Sequence, residues 1–523
     1  MESSTELPQS PPHSPSQSPP SSPPSSPTEA RRAAAVLALA RFETRELFLQ
    51  IPVLFFLALY IALVVWRLAH EEGMNDFPIL NMVDRDTQES PLLLGIALLV
   101  CVNSATLRSR KNGTVQQFDV LAMDPWRRTL AHVLSVVPFA ALTAVAVGAE
   151  FTRAALKPGA IGHGSFGELA LGPLSILASG VLGVLLARLA PSPLAAMVFV
   201  VAGYLLVITA SASVDEGGWA GWLSPTIFGA DTNGDPVPSD LIGRPAAWHA
   251  LYVAALCVLL ACAALLLSGG RNRAVKTAGA LALAATVAGA IGQYPRDASA
   301  LDAARRTASE TPQKVQSCTT YDGSTYCSFP EWSVVRSDWA DVVDRVQSLA
   351  GGAAAKAPLT VRQRVDLSGG IESDSTLASS ATPQEVTVGT RWGGNRVPEF
   401  AVGVASVVVM GTEAAALDAC DARNVTTMWL ALGADPTPLQ TFKNLRLDDS
   451  TEGSGVVLAP TNPLSLTARQ TAVVRELLDR PRADVTARVK AHWTELTSAN
   501  TTTAEAAKLL GVPVPEEAEK CEE

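Results

Sequence analysis

The sequence predicts an all-α polytopic membrane protein of about six to seven transmembrane helices, joined to a C-terminal, helix-rich mixed α/β extracytoplasmic domain. Three observations predict it. Apolar runs recur along the first 292 residues, each about long enough, at 1.5 Å rise per residue, to cross a hydrocarbon core of roughly 30 Å. Lys and Arg gather in alternate connections between those runs. Beyond residue 295 the long apolar runs give way to a mixed, cysteine-containing sequence.

The runs are Leu47 to Ala69, Pro91 to Leu107, Arg128 to Gly148, Leu169 to Leu189, Leu194 to Ser213, Trp248 to Leu267 and Thr277 to Gly292. The second is the weakest, being short and containing Asn103, Ser104 and Thr106. No Asp, Glu, Lys or Arg falls near the centre of a run. Ion-coupled carriers ordinarily need an ionisable group there, so this pattern argues against a secondary transporter. Glu150 and Arg153, just after the third run, read as solvated rim residues, and Pro138 predicts a kink.

Charge placement gives an orientation. Arg31, Arg32, Arg41 and Arg45 precede the first run, Arg108, Arg110, Lys111, Arg127 and Arg128 lie between the second and third, and Arg271, Arg273 and Lys276 lie between the sixth and seventh. The intervening connections are acidic, with Glu71, Glu72, Asp76, Asp84, Asp86 and Glu89 after the first run and Asp215, Glu216, Asp231, Asp235 and Asp240 after the fifth. The positive-inside bias therefore predicts a multi-pass cell-membrane protein with a cytoplasmic N-terminus, and seven spans place everything after Gly292 outside.

Cysteine usage agrees with that topology. Cys101, Cys257 and Cys262 lie in apolar runs, whereas Cys318, Cys327, Cys420 and Cys521 all lie beyond the last one. Four cysteines in an exported region read as disulfides, with three pairings open. Tyr321-Asp-Gly-Ser324 has the composition of a hairpin turn, which favours Cys318 with Cys327 and leaves Cys420 with Cys521. No CxxC pair or adjacent histidine offers zinc-ligand spacing, and no metal or other cofactor is expected.

Residues 1–28 are almost all Ser, Pro, Gln and Glu with repeated Ser-Pro steps, which predicts a disordered cytoplasmic tail rather than a signal peptide. Ala33 to Leu49 places Val36, Leu39, Ala40 and Leu47 on one helix face and Arg41 and Arg45 opposite, with Glu43 interrupting the apolar stripe. That pattern suits a helix on the cytoplasmic membrane surface, or equally the solvated start of a long first span. Residues 33–292 are thus the transmembrane unit and residues 295–523 the extracytoplasmic one. In the latter, Trp332 to Ala350, Leu466 to Asp479, Arg482 to Leu496 and Thr502 to Leu510 read as helices, and Leu359 to Leu367 and Gln384 to Trp392 as strands. Phe400 to Leu417 is apolar, but Glu413 favours a buried helix of the domain over an eighth span.

Catalytic patterns are missing: the chain has no GxxxxGK[ST] phosphate loop, no HExxH and no GxSxG. The histidines His70, His132, His163 and His249 sit at span ends and read as interface residues. A formal net charge of −10 gives no reason to expect a nucleic-acid partner.

One connection stands out. Between the second and third runs, Arg110-Lys-Asn-Gly113-Thr114 opens a short amphipathic stretch, Val115 to Leu121, that ends at Pro125 and Arg127-Arg128. With the Ala38 to Leu47 amphipathic lead-in and Arg244-Pro-Ala-Ala-Trp-His-Ala-Leu-Tyr252 before the sixth run, this order resembles the membrane (permease) subunit of exporter-type ABC transporters, of actinobacterial type, over about residues 33–270. The resemblance implies a non-enzymatic permease that pairs with a second permease in the lipid bilayer. It also implies that residues 112–125 form the coupling helix docking on a separate ATPase subunit, through Gly113, Thr114, Val115, Phe118, Leu121, Pro125, Arg127 and Arg128. Arg108 and Arg110 stand where acidic residues often precede the Gly-Thr step, and the proline comes about three residues late. The competing reading is a membrane-anchored extracytoplasmic binding or sensory protein.

Overall fold

The computed structural model describes residues 29–70, 76–114, 123–214, 223, 236–243, 245–294, 298–367, 377–446, 455–458, 461–514 and 516. The predicted tail 1–28, the coupling residues Val115, Phe118 and Leu121, and Cys521 lie outside them.

Helix α1 (Glu29–Phe48) is separate from α2 (Ile51–Ala69): the chain breaks at Leu49-Gln50, and Pro52 sits in the first turn of α2, where its missing N–H costs nothing. The buried face of α1 is Val36, Ala40, Glu43 and Leu47, so Glu43 belongs to the inward stripe rather than interrupting it. Helices α3 (Leu80–Glu89) and α4 (Leu92–Thr106) join through Ser90-Pro91 into one apolar segment, and the four-residue α5 (Arg108–Lys111) extends it. Asp84 and Asp86, expected in a loop, are therefore on a helix, and Asp84 is buried. Helices α6 (Pro125–Leu134) and α7 (Val137–Ala155) form a second such pair, with the break falling before Pro138 as its missing N–H requires. Helix α8 (Phe166–Leu189), α9 (Pro193–Val214), α10 (Ser239–Ile242), α11 (Ala246–Leu267), α12 (Arg273–Gly292) and α13 (Ala298–Glu310) follow.

Six segments are long and apolar enough to cross a membrane: Ile51–Ala69, Leu80–Thr106, Pro125–Ala155, Phe166–Leu189, Ala246–Leu267 and Arg273–Gly292. Of α9, the stretch Leu194–Leu205 ranks as a shorter apolar helix. Contacts at the two ends of the bundle decide its path. Arg188, at the end of α8, lines a cavity with Arg108, Arg128 and His132 at one end, the basic end. At the far end, Asn81 Nδ2 donates to Val237 O at 3.0 Å, and Ile79 bridges Ile161. Helix α9 begins just after residue 190 at the basic end, and residue 237 lies at the far end.

Helix α8 is the hub, packing against α4, α7 and α11, and glycine makes the close approach possible. A Cβ on Gly183 would stand 2.4 Å from Leu99 O of α4, and one on Gly167 would stand 2.6 Å from the backbone of Ala246. Small residues let membrane helices gain dispersion contact where lipid removes the hydrophobic drive for association. By contrast α2 and α12 turn most of their apolar surface outward, including Phe55, Leu63, Leu283 and Ile291.

The C-terminal region sits against the far end. Its sheet has the order β1 (Ser317–Tyr321), β2 (Ser324–Ser328), β3 (Thr360–Gln363), β4 (Glu385–Val388), the first pair antiparallel and the others parallel. Asp322 and Gly323 both have positive φ, 46° and 89°, the geometry of a two-residue hairpin turn. That turn sets Cys318 directly across from Cys327, and the two are disulfide-bonded with Cα atoms 4.1 Å apart. Cys420 is also disulfide-bonded.

Helices α14 (Arg336–Leu349), α15 (Arg396–Met410), α16 (Ala422–Leu432) and α17 (Ala468–Leu478) are among those that pack in this region around a core that buries Trp332, Trp339, Trp429 and Phe400. Of the Phe400 to Leu417 run, the residues up to Met410 thus form the end of a buried helix of this region, α15, rather than an eighth span. Glu413, just beyond it, is buried and accepts hydrogen bonds from Ser380 N and Thr387 Oγ1, both at 2.8 Å. Contacts to the bundle run through Ser239 N, which donates to Glu331 Oε1 at 3.0 Å, Arg305 Nε, which donates to Leu241 O at 2.9 Å, and the Phe77 and Trp392 rings.

Candidate functional site at the basic end of the bundle

The predicted coupling element leaves and returns at one place. Helix α5 ends in a Schellman turn: Gly113 N donates to Arg110 O at 3.2 Å and Thr114 N to Ser109 O at 3.0 Å, which needs the left-handed φ of +66° that Gly113 supplies. On the return, Pro125 begins α6, and Arg127 N donates to Asp124 O at 3.0 Å. Thr114 and Pro125 line the same cavity, so the ends of the intervening segment converge. Val115, Phe118 and Leu121 themselves lie outside the described residues.

The remaining predicted residues divide by role. Arg127 lies flat against its own helix, its guanidinium carbon 4.9 Å from the Trp126 ring centroid, with Nε 3.2 Å from Asp124 and Nη2 3.4 Å from Glu29. It ties α6 to α1, whose Val36 and Ala40 pack on Ala131. Arg128 instead faces the cavity.

That cavity, about 360 Å³, lies among α1, the α4–α5 junction, α6 and the end of α8. Arg108, Arg110, Arg128 and Arg188 line it, and the acid among its lining residues is Glu43. Glu43 Oε2 is 3.6 Å from Arg108 Nη2 and 3.9 Å from His132 Nδ1. Burial raises the Glu43 carboxyl above its ordinary value, with Arg108 pulling the other way. Arg188 Nε is buried without a hydrogen-bond partner among the described residues, and Arg128 and Arg110 are the charges acting on it. Sequence reading missed Arg188 as a functional candidate, because one Arg at the end of an apolar run reads as an interface anchor. The signal available was its place at the end of the fourth run, on the same side as the other arginines.

The far end has a larger cavity, about 520 Å³, lined by Trp66, Arg67, Asp86, Glu150, Arg153 and Lys157 among others. Glu150 was expected at a solvated rim; the structure leaves it only 8 % exposed, its carboxylate 3.7 Å from Arg67. Helix α7 continues past Gly148, where the apolar run ends, to Ala155, and it packs against α3. Here cations and anions alternate: Arg67, Arg153 and Lys157 face Asp86, Glu89 and Glu150. His249 is also deeper than an interface position, fully buried with Nδ1 2.6 Å from Gln293 Oε1. Among the described residues no group of three or more His, Cys, Asp or Glu side chains is arranged to hold a metal ion. The chain matches no protein-family profile, no curated protein and no solved structure.

Proposed function

We propose that this chain is the membrane subunit of an ATP-driven ABC transporter, an exporter, powered by a separate ATPase subunit that docks on residues 112–125. One observation carries the reading furthest. The Gly113-Thr114 turn and Pro125 bracket a short segment whose two ends meet at the basic end of the helical bundle. A segment held at both ends on rigid helices can pass a push from a partner into α4 and α6, which the loose tip of a long loop cannot do.

Orientation follows from charge: the basic end faces the cytoplasm and the C-terminal region lies outside, where disulfides persist. The outward apolar faces of α2 and α12 meet lipid and a second permease. Transport would then be alternating exposure of a cavity between two permeases, driven by closure of the ATPase pair. The test is purification of the tagged full chain in mild detergent with identification of what accompanies it. An ATP-hydrolysing subunit in stoichiometric amount supports the proposal. Its absence favours a membrane-anchored extracytoplasmic binding protein, for which the large core of the C-terminal region is the supporting observation.

A further inference from the structure

Three connections at the far end of the bundle share one core with the C-terminal region: Ile79 before α3, Ile161 between α7 and α8, and Val237 before α10 are buried in the same apolar cluster as Trp332 and Trp339. Polar bonds reinforce that core. Asn81 Nδ2, on α3, donates to Val237 O at 3.0 Å and to Ser239 Oγ at 3.1 Å, while Ser239 N donates to Glu331 Oε1 of the C-terminal region at 3.0 Å. Arg305 of α13 grips the same short stretch, donating to Leu241 O at 2.9 Å and to Ile242 O at 3.0 Å. Glu331 also packs on Gly162, where an added Cβ would stand 2.9 Å from its Oε2. Residues 237–242 are thus fastened on both sides. Helix α3 carries the connection inward along one polar stripe of Asn81, Asp84 and Gln88, spaced three and four residues apart. Ser165 N, at the start of α8, donates to Asp84 Oδ2 at 2.6 Å, and Gln88 donates to Glu168 of α8.

We propose that residues 237–242 form a strap that couples the C-terminal region to α3 and α8, so that the two parts shift as one mechanical unit. Buried polar contacts suit this role because each is either made or broken, and a broken one leaves a buried donor or acceptor unsatisfied. A change in the packing of α3 on α8 that draws Asn81 away deprives Val237 O and Ser239 Oγ of their donor, and the strain reaches Glu331 through Ser239 N. Coupling is reciprocal. An event that displaces Glu331 must bias α3 by the same free energy, as linkage between two sites requires. The C-terminal region is then a cap that responds to the bundle, rather than a body tethered only through α12 and α13. This proposal does not rest on the transporter reading, since it requires no ATPase.

The test is hydrogen–deuterium exchange of the full-length protein in mild detergent, read peptide by peptide by mass spectrometry. Glu331→Ala, on the C-terminal side, should speed exchange at residues 79–83, where Leu80 N donates to Ile161 O, by about tenfold, the scale of one hydrogen bond to a charged group. Asn81→Ala, on the bundle side, should speed exchange across residues 330–335 by a similar factor. Thr467→Ala is the control: it removes the capping box of α17, whose main packing partner is α16, and should loosen α17 while leaving residues 79–83 unchanged. Should Glu331→Ala or Asn81→Ala fail to fold, Ser239→Ala removes one acceptor of Asn81, keeps the N–H that serves Glu331, and should speed exchange on both sides of the strap. If each strap variant loosens only its own side, the two parts move independently and the proposal is overturned. It is overturned equally if Thr467→Ala loosens residues 79–83 as much as Glu331→Ala does, since general softening of the C-terminal region would then account for the effect.

Discussion

Gly183→Ala sets two physical effects against each other. Helix propensity alone favours the change by about 0.8 to 1.0 kcal/mol. Packing opposes it: the added Cβ would meet Leu99 O at 2.4 Å, where carbon and oxygen need roughly 3.3 Å, so α4 and α8 must part by about 1 Å. Overpacking of this kind costs about 1 to 3 kcal/mol. Separation also stretches the 3.2 Å bond that Asn103 Nδ2 donates to Gly183 O, worth about 0.6 kcal/mol for a polar contact between membrane helices. The balance is a loss of about 0.6 to 2.8 kcal/mol. Equilibrium unfolding in mixed micelles, followed by circular dichroism, reads it directly. Gly148→Ala is the matched control, since nothing lies within 4 Å of the added carbon, and it should be neutral or stabilising by up to about 1 kcal/mol. If Gly183→Ala proves as stable as wild type or more so, the close packing of α4 on α8 is refuted.

The disulfide between Cys318 and Cys327 spans nine residues, so replacing both cysteines by serine should lower the stability of the C-terminal region by about 2 to 3 kcal/mol in the chain-entropy account. Unchanged denaturation of the double variant would contradict that. Burial holds the Glu413 carboxyl above its ordinary value of 4.5, against the hydrogen bonds from Ser380 and Thr387. Its contribution to stability is full below the unfolded value and is lost as pH rises through the folded one. Glu413→Gln should therefore flatten the fall of the thermal midpoint above roughly pH 4.5, and an unaltered slope would count against it. On intact cells, a cysteine introduced at Lys356 should react with an impermeant maleimide and one at Asn112 should not, whereas equal labelling of both would contradict the proposed orientation.

Much of the fold was legible because membrane helices obey one dominant constraint, the removal of backbone polar groups from lipid, which writes itself as long apolar runs. The hairpin of β1 and β2 was legible too, since Asp322-Gly323 is a local signal that needs no tertiary information. What the pattern hid were polar residues whose surroundings come from distant segments. Asp84 was placed in a loop because it precedes the apolar run, yet Ser165 N, 81 residues on, donates to it at 2.6 Å and helps hold it inside. Glu150 and Arg188 each lie near a span end, where solvation and burial look identical in one sequence. Only the packing of α3 on α7, and of α6 beside α8, separates those cases. Glu43 broke an apolar stripe on paper, and in the fold it is the carboxylate facing the arginine cavity.

The account's central claim is that residues 112–125 receive an ATPase, and Phe118 is the measurement's natural target because it is the largest apolar side chain in that segment. Wild-type protein and Phe118→Asp, each tagged and expressed in the native host, are purified in the same mild detergent and the stoichiometry of any co-purifying ATPase is compared. A charge placed in an apolar contact should weaken association by about 3 to 5 kcal/mol, enough to strip the ATPase during purification while the bundle and C-terminal region stay folded. Retention of the ATPase by Phe118→Asp at wild-type stoichiometry, or no ATPase with wild type, would contradict the coupling role.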